Sequence, residues 1–287
     1  MNIQWYPGHM TKTRRMMEEN ISLCDIVIEL LDARIPYSSK NPEIDNLAKN
    51  KKRIVILNKV DLADEVKTKE WVSYFENKGF KVILVNSITG KGIKDIAIVS
   101  KDLMAEKIER LKKRGRIFVP TRAMIVGIPN VGKSTLINKF VGKSTAKTGD
   151  KPGVTRGKQW VKIKKDFELL DTPGILWPKF DDQAVGMKLA FTGAVNDDIL
   201  DITTLASNLI GYLRVLYPNT LKSRYNIEYT DNTKDYEILE AIAKARGFKI
   251  KGGEFDLKRA ATILLDEFRA AKLDKITLES VEDIIEN

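Results

Sequence analysis

The sequence predicts an α/β domain with a mainly parallel sheet, followed by a smaller all-α domain. Three observations carry that expectation. Short apolar runs alternate with helix-period stretches as far as residue 170. A glycine-rich turn joins one of those runs to a helix. Past residue 178 the strand signal fades while helical spacing persists. A length of 287 residues is enough for two domains at about 150 residues each.

Four runs read as buried parallel strands: 25–31, 54–57, 82–85 and 123–126. Each is apolar almost throughout and ends on a polar or small residue, as in a strand covered on both faces. Helical patterns lie at 64–78, 91–111 and 133–140. Two further strands follow, a basic alternating one at 159–163 and one at 167–170. The later helices fall at 199–216, 235–246 and 256–272, with a short acidic helix at about 278–285. In the third, Leu257, Ala261, Leu264, Leu265 and Phe268 share one face. The expected division is 1–178, including an N-terminal arm at 1–20, and 179–287.

Composition narrows the chemistry. One cysteine, Cys24, excludes an internal disulfide framework and a multi-cysteine zinc site. One histidine, His9, excludes any site needing two imidazoles. No apolar run approaches the roughly 18 residues of a membrane span. The N-terminus has no basic-then-apolar signal pattern, so a cytoplasmic protein with no membrane partner is expected. The net charge of +10 is uneven: residues 220–287 carry 12 basic and 14 acidic side chains. Residues 143–165 hold eight basic side chains against Asp150 alone, and 101–116 hold seven against three. Such patches attract polyanions, nucleic acid foremost.

Gly127-Ile128-Pro129-Asn130-Val131-Gly132-Lys133-Ser134 matches the phosphate-loop spacing, between an apolar run and a helix. Small residues there let the backbone N–H groups through Thr135 turn inward around phosphates. Lys133 brings charge to the β and γ oxygens, and the Ser134 hydroxyl suits magnesium. Asp171-Thr172-Pro173-Gly174 ends a later strand: Asp171 suits the same metal through water, and the Gly174 N–H suits the γ-phosphate. Thr155, in Pro152-Gly153-Val154-Thr155-Arg156, is the candidate to complete the magnesium shell.

Asn58-Lys59-Val60-Asp61 follows the second run. A carboxylate at Asp61 accepts two hydrogen bonds from guanine N1–H and N2–H₂, and adenine offers no such pair. Asn58 would orient the base and the Lys59 stem would cover it. Asn86-Ser87-Ile88 is the backing turn. The expected ligands are therefore GTP and GDP with Mg²⁺. An ATP-using phosphate-loop protein with an accidental base motif is one rival reading. A GTP-regulated module for a membrane or another RNA is the second.

The motif order is unusual. The base motifs precede the phosphate loop, and Asp171 comes last, which describes a circularly permuted GTPase domain. With Trp5-Tyr6-Pro7-Gly8-His9-Met10 at the start and Asp32-Ala33-Arg34 after the first strand, the chain resembles the YlqF branch of the circularly permuted GTPases, the ribosome biogenesis GTPase A family, over nearly its whole length. The resemblance implies a GTPase assembly factor that acts late on the precursor of the bacterial large (50S) ribosomal subunit. It also implies that the helical domain contacts ribosomal RNA. Lys244, Arg246, Lys249, Lys251, Lys258 and Arg259 are the candidate surface, and a monomer away from the particle is expected.

Hydrolysis needs a helper, because Ile175 stands where Ras-type enzymes place a water-orienting glutamine. Asn130 occupies the place of the asparagine ligand of potassium-assisted GTPases. His9 is the second candidate. Slow turnover alone and stimulation by a partner are expected. The segment Ile175-Leu176-Trp177-Pro178 would carry a nucleotide-driven change into the helical domain.

Overall fold

The computed structural model describes residues 10–142, 159–172 and 182–285. In chain order, α1 (Met10–Ile21) leads to β1 (Ile26–Asp32), α2 (Glu43–Leu47), β2 (Lys52–Asn58), α3 (Glu65–Asn77) and β3 (Lys81–Val85). Next come α4 (Ile93–Leu103), α5 (Ala105–Lys113), β4 (Thr121–Val126), α6 (Lys133–Val141), β5 (Gln159–Lys164) and β6 (Phe167–Asp171). The helical part holds α7 (Gln183–Phe191), α8 (Ile202–Leu216), α9 (Thr220–Tyr225), α10 (Asp235–Ala245), α11 (Leu257–Arg269) and α12 (Glu282–Ile285).

The expected strands form one sheet in the order β3-β2-β1-β4-β6-β5. All neighbours are parallel except β5, which runs antiparallel to β6 along the edge. All seven residues of β1 are buried, as a central strand covered on both faces requires. Parallel pairing aligns the C-terminal ends, so Asp32, Asn58, Val85, Val126 and Asp171 share one edge of the sheet. That edge is where ligands of open α/β sheets bind. On one face Leu31, Val55 and Leu57 pack on Trp71 and Phe75 of α3. On the other, one apolar core runs from Ile28, Ile56 and Ile125 into Leu189, Leu205, Leu209 and Leu264 of the helical part.

Four helices, α1, α2, α7 and α9, stand where none was expected, α1 within the expected N-terminal arm, and three of the expected helices differ in extent. The helix expected over 91–111 is two, α4 and α5, separated at Met104. Met104 stays buried, whereas α5 buries none of its residues and carries Arg110, Lys112 and Lys113 outward. The helix expected from 199 starts at Ile202, because the Asp201 carboxylate caps it through Thr203 N and Thr204 N. The acidic helix expected over about 278–285 shortens to α12. The residues before it are extended: Ile276 N donates to Leu62 O at 3.2 Å and Leu278 N to Arg34 O at 2.8 Å.

These bonds return the chain to the sheet domain. Glu279, fully buried, accepts from Tyr37 N at 2.7 Å, from Ser38 N and from the Ser38 hydroxyl, and Lys188 Nζ lies 3.3 Å away. Trp71 Nε1 donates to Glu279 O at 3.3 Å, and Val281 and Ile284 pack against the apolar cluster that contains Trp71. The expected domain boundary at 178 lies outside the described residues. No helix among the described residues is long and apolar enough to cross a membrane.

Candidate functional site

The phosphate loop connects β4 to α6 along the edge where the strands end. Its last glycine is dictated by geometry. Gly132 has φ +103°, and a Cβ there would lie 2.5 Å from Asn58 Nδ2. That approach lets Asn58 Nδ2 donate to Val131 O at 2.8 Å. Asn58 Oδ1 accepts from Ser87 N at 3.1 Å and from Ser87 Oγ at 2.8 Å. One buried amide thus ties the ends of β2 and β3 to the loop after β4. Asn86 Oδ1 accepts from Ile88 N and Thr89 N, which fixes the turn bearing Ser87.

Lys59 follows Asn58 with φ +61°. Its ammonium donates to Asn130 O at 2.8 Å and pairs with Asp32 at 3.0 Å. Burial pushes its pKa down, with Asp32 opposing. Asp61 lies half-buried in the turn beyond. A lysine stem and a carboxylate in this order can cover a planar base and read its donor edge.

Across the edge, buried Lys133 donates to Gly127 O and Ile128 O, both at 2.9 Å. Burial lowers its pKa to about 8, against the pull of Asp171. Burial raises the Asp171 carboxyl to about 6, with Lys133 and the Thr172 N–H opposing. Asp171 Oδ1 is buried without a hydrogen-bond partner among the described residues. An orphaned carboxylate oxygen near the helix that bears Ser134 and Thr135 suits a hydrated divalent cation.

The helical part reaches the same place. Asn130, at φ +56°, donates through Nδ2 to Gly193 O at 2.8 Å. Arg269 braces that turn: it donates to Ala190 O and Phe191 O, both at 3.0 Å, and pairs with Asp197.

The structure therefore gathers Asn58, Lys59, Asp61, Asn86, Ser87, the loop from Asn130 to Thr135, and Asp171 along one edge. His9, Thr155 and Gly174 lie outside the described residues, as does Trp177. Two participants had no assigned role in the sequence, Asp32 and Gly193. Asp32 has a signal, an acid-x-base triplet at a strand end. Gly193 has none, because it contributes a backbone carbonyl.

Comparison with known proteins supplies the family. A family model described as a 50S ribosome-binding GTPase matches residues 122–231. The chain is 49% identical to Ribosome biogenesis GTPase A of Bacillus cereus, over 99% of this chain and 95% of that one. It is 32% identical to the protein of that name from Thermotoga maritima, over 98% and 96%. Two solved structures of T. maritima YlqF, one GNP-bound and one GDP-bound, match with TM-scores of 0.64 and 0.66 at 29% identity. Each aligns with 94% of this chain, and they are covered to 98% and 100%. With its base and phosphate motifs in permuted order on one sheet edge, and with such full-length relatives, this GTP-hydrolysing chain belongs to the ribosome biogenesis GTPase A family of circularly permuted GTPases.

Proposed function

We propose that the chain is a GTP-dependent assembly factor that binds the large ribosomal subunit precursor late in its maturation, in the cytoplasm. One observation carries the nucleotide part. Asn58 bonds both Val131 of the phosphate loop and Ser87 of the backing turn. Base and phosphate halves are thereby held at a fixed spacing, as a whole nucleotide demands. Asp61 reads the guanine edge, and Lys59 covers the ring. Lys133 and the N–H groups from Asn130 to Thr135 hold the phosphates.

Ser134 and Asp171 would hold magnesium, with Thr155 to complete its shell and the Gly174 N–H for the γ-phosphate; the metal would supply charge neutralisation on the phosphates. Asn130 is the residue to ligate potassium, through its amide oxygen, while its amide nitrogen donates to Gly193 O. His9 is the other helper. Turnover is slow alone and rises on the ribosomal particle.

The ribosomal part is supported by the relatives' names and by the surface of the helical domain, residues 179–287. Lys244, Arg246, Lys249, Lys251, Lys258 and Arg259 are all exposed around the connection from α10 to α11. Arg259 lies 4.5 Å over the half-buried Phe248 ring and Arg246 5.2 Å over the buried Tyr225 ring, so the rings orient the two guanidinium groups. Exposed basic groups gathered in this way suit RNA phosphates. Arg246 is also paired with Glu267 at 3.2 Å, which makes it the weakest of the six for RNA. The protein acts as a monomer away from the particle.

Co-sedimentation with large-subunit precursors tests the reading. The chain should pellet with them when loaded with a non-hydrolysable GTP analogue and much less with GDP. Purified protein should bind GTP far more tightly than ATP. Equal affinity for the two nucleotides, or ribosome binding indifferent to nucleotide, would overturn it.

A further inference from the structure

Asp32 is the last residue of β1 and stands in register with Asn58 of β2. It is 1% exposed. Its carboxylate holds two cations. Oδ1 accepts from Arg34 N at 3.1 Å and Arg34 Nε at 2.9 Å, and Oδ2 accepts from Arg34 Nη2 at 2.8 Å. The same Oδ2 lies 3.0 Å from Lys59 Nζ. Burial alone would raise this carboxyl. The Arg34 guanidinium and the Lys59 ammonium instead hold it well below the usual carboxylate range, so it stays charged.

Lysine needs such an anchor. Its long free stem has many rotamers, and a ligand that had to freeze it would bind more weakly. Lys59 also sits at a left-handed φ of +61°, which a non-glycine residue adopts only when its surroundings hold it. Two contacts fix the ammonium, Asn130 O on the phosphate loop and the Asp32 carboxylate. Only the second is ionic, and only it comes from β1, a strand that carries neither the phosphate loop nor the base motif.

We propose that Asp32 is a positioning residue for guanine-nucleotide binding: it holds the Lys59 ammonium so that the stem is already laid out where the base docks. The proposal rests on the base-site reading above. Asp32 meets the lysine and not the nucleotide. Its contribution should therefore reach any purine that Lys59 covers and leave the guanine-edge discrimination of Asp61 intact. Arg34 completes the arrangement from the other side, donating to Arg269 O at 3.3 Å and lying over Phe268.

A double-mutant cycle tests it. GDP and inosine diphosphate affinities are measured for Asp32→Asn, Lys59→Ala and the double variant, with binding stoichiometry and thermal melting as checks on folding. Asp32→Asn should weaken both nucleotides by the same factor, about 10-fold, within the range for contacting residues. In the Lys59→Ala background it should cost nothing further. Because Asp32→Asn strands the buried Arg34 charge, the cycle is repeated with Arg34→Met throughout, which keeps the comparison open if the single variant does not fold. Multiplying losses in the double variant, or a guanine-selective loss, would overturn the role of Asp32. Unchanged GDP affinity in Lys59→Ala would instead overturn the base-site reading itself.

Discussion

The Asn130 side-chain amide donates to the backbone carbonyl of Gly193 at 2.8 Å, so a phosphate-loop residue grips the turn that follows α7 in the helical part. Any change at the γ-phosphate that moves Asn130 is felt by that turn directly. The same residue is the candidate potassium ligand, which gives the first prediction. Hydrolysis should run faster in potassium than in sodium at equal ionic strength, and Asn130→Ala should remove most of the difference. The ratio of rates is the useful readout, since the left-handed φ of Asn130 costs alanine about 1–2 kcal/mol in both salts. Equal rates for the unaltered protein would leave His9 as the helper.

Gly132→Ala should uncouple the two halves of the site. The added Cβ, 2.5 Å from Asn58 Nδ2, forces apart the bond to Val131 O and strains a φ of +103°. Losing one buried bond and adding backbone strain costs about 2–3 kcal/mol. Titration calorimetry should show GDP affinity falling by that amount. A change within threefold would mean that the loop keeps its shape without the Asn58 contact.

Asp61→Asn exchanges an acceptor for a group that donates on one side. Guanine nucleotides should lose about 2–4 kcal/mol, as for a charged hydrogen bond in a specific site. Xanthine nucleotides, with a carbonyl at that edge, should gain relative to them in a competition assay. Unchanged GTP binding would remove Asp61 from the base site.

The pH dependence of the nucleotide-free protein reports on Asp171. Burial raises this carboxyl from 3.8 to about 6, so between those values the folded chain holds more protons than the unfolded one. Stability should therefore fall as pH rises through that window, by up to about 3 kcal/mol. Asp171→Asn removes the penalty. Its melting temperature should exceed that of the parent at pH 7.5 and approach it near pH 4, while magnesium-dependent hydrolysis is lost. Parallel melting curves at both pH values would contradict a buried carboxylate whose desolvation Lys133 offsets only in part.

Glu279→Ala should be among the most damaging single changes far from the nucleotide. It strands Tyr37 N, the Ser38 groups and Lys188 without their buried acceptor. Breaking a buried charged cluster costs about 3–5 kcal/mol. A denaturant titration should show that loss with little change in slope, and a loss below 1 kcal/mol would place Glu279 in contact with water.

Much of this was legible in the residues. The strands announce themselves because parallel strands covered on both faces are nearly continuous apolar runs, as in 54–57 and, interrupted only by Glu29, in 26–31. The phosphate loop and the base motif are legible because their chemistry fixes residue type and spacing together. The break at Met104 was hidden, since α4 and α5 share helical composition and differ only in what they bury. The extended path at 276–279 was hidden for another reason: its partners are Arg34 O and Leu62 O, over 200 positions earlier. No local periodicity encodes such a pairing. The Asp32–Lys59 contact was half visible, as an acid at a strand end whose partner lies just past the end of the neighbouring strand.

That return has a consequence for how the protein comes into being. During synthesis N-terminal portions fold first. Here the sheet strands, Trp71 and the Ser38 turn emerge long before residues 276–284, which are made after everything they cover. The nascent sheet must wait with an apolar groove beside α3 open, and the closing step joins segments far apart in sequence, which is slow. Chaperone access and aggregation risk should therefore concentrate on that groove, in the interval before the late segment arrives.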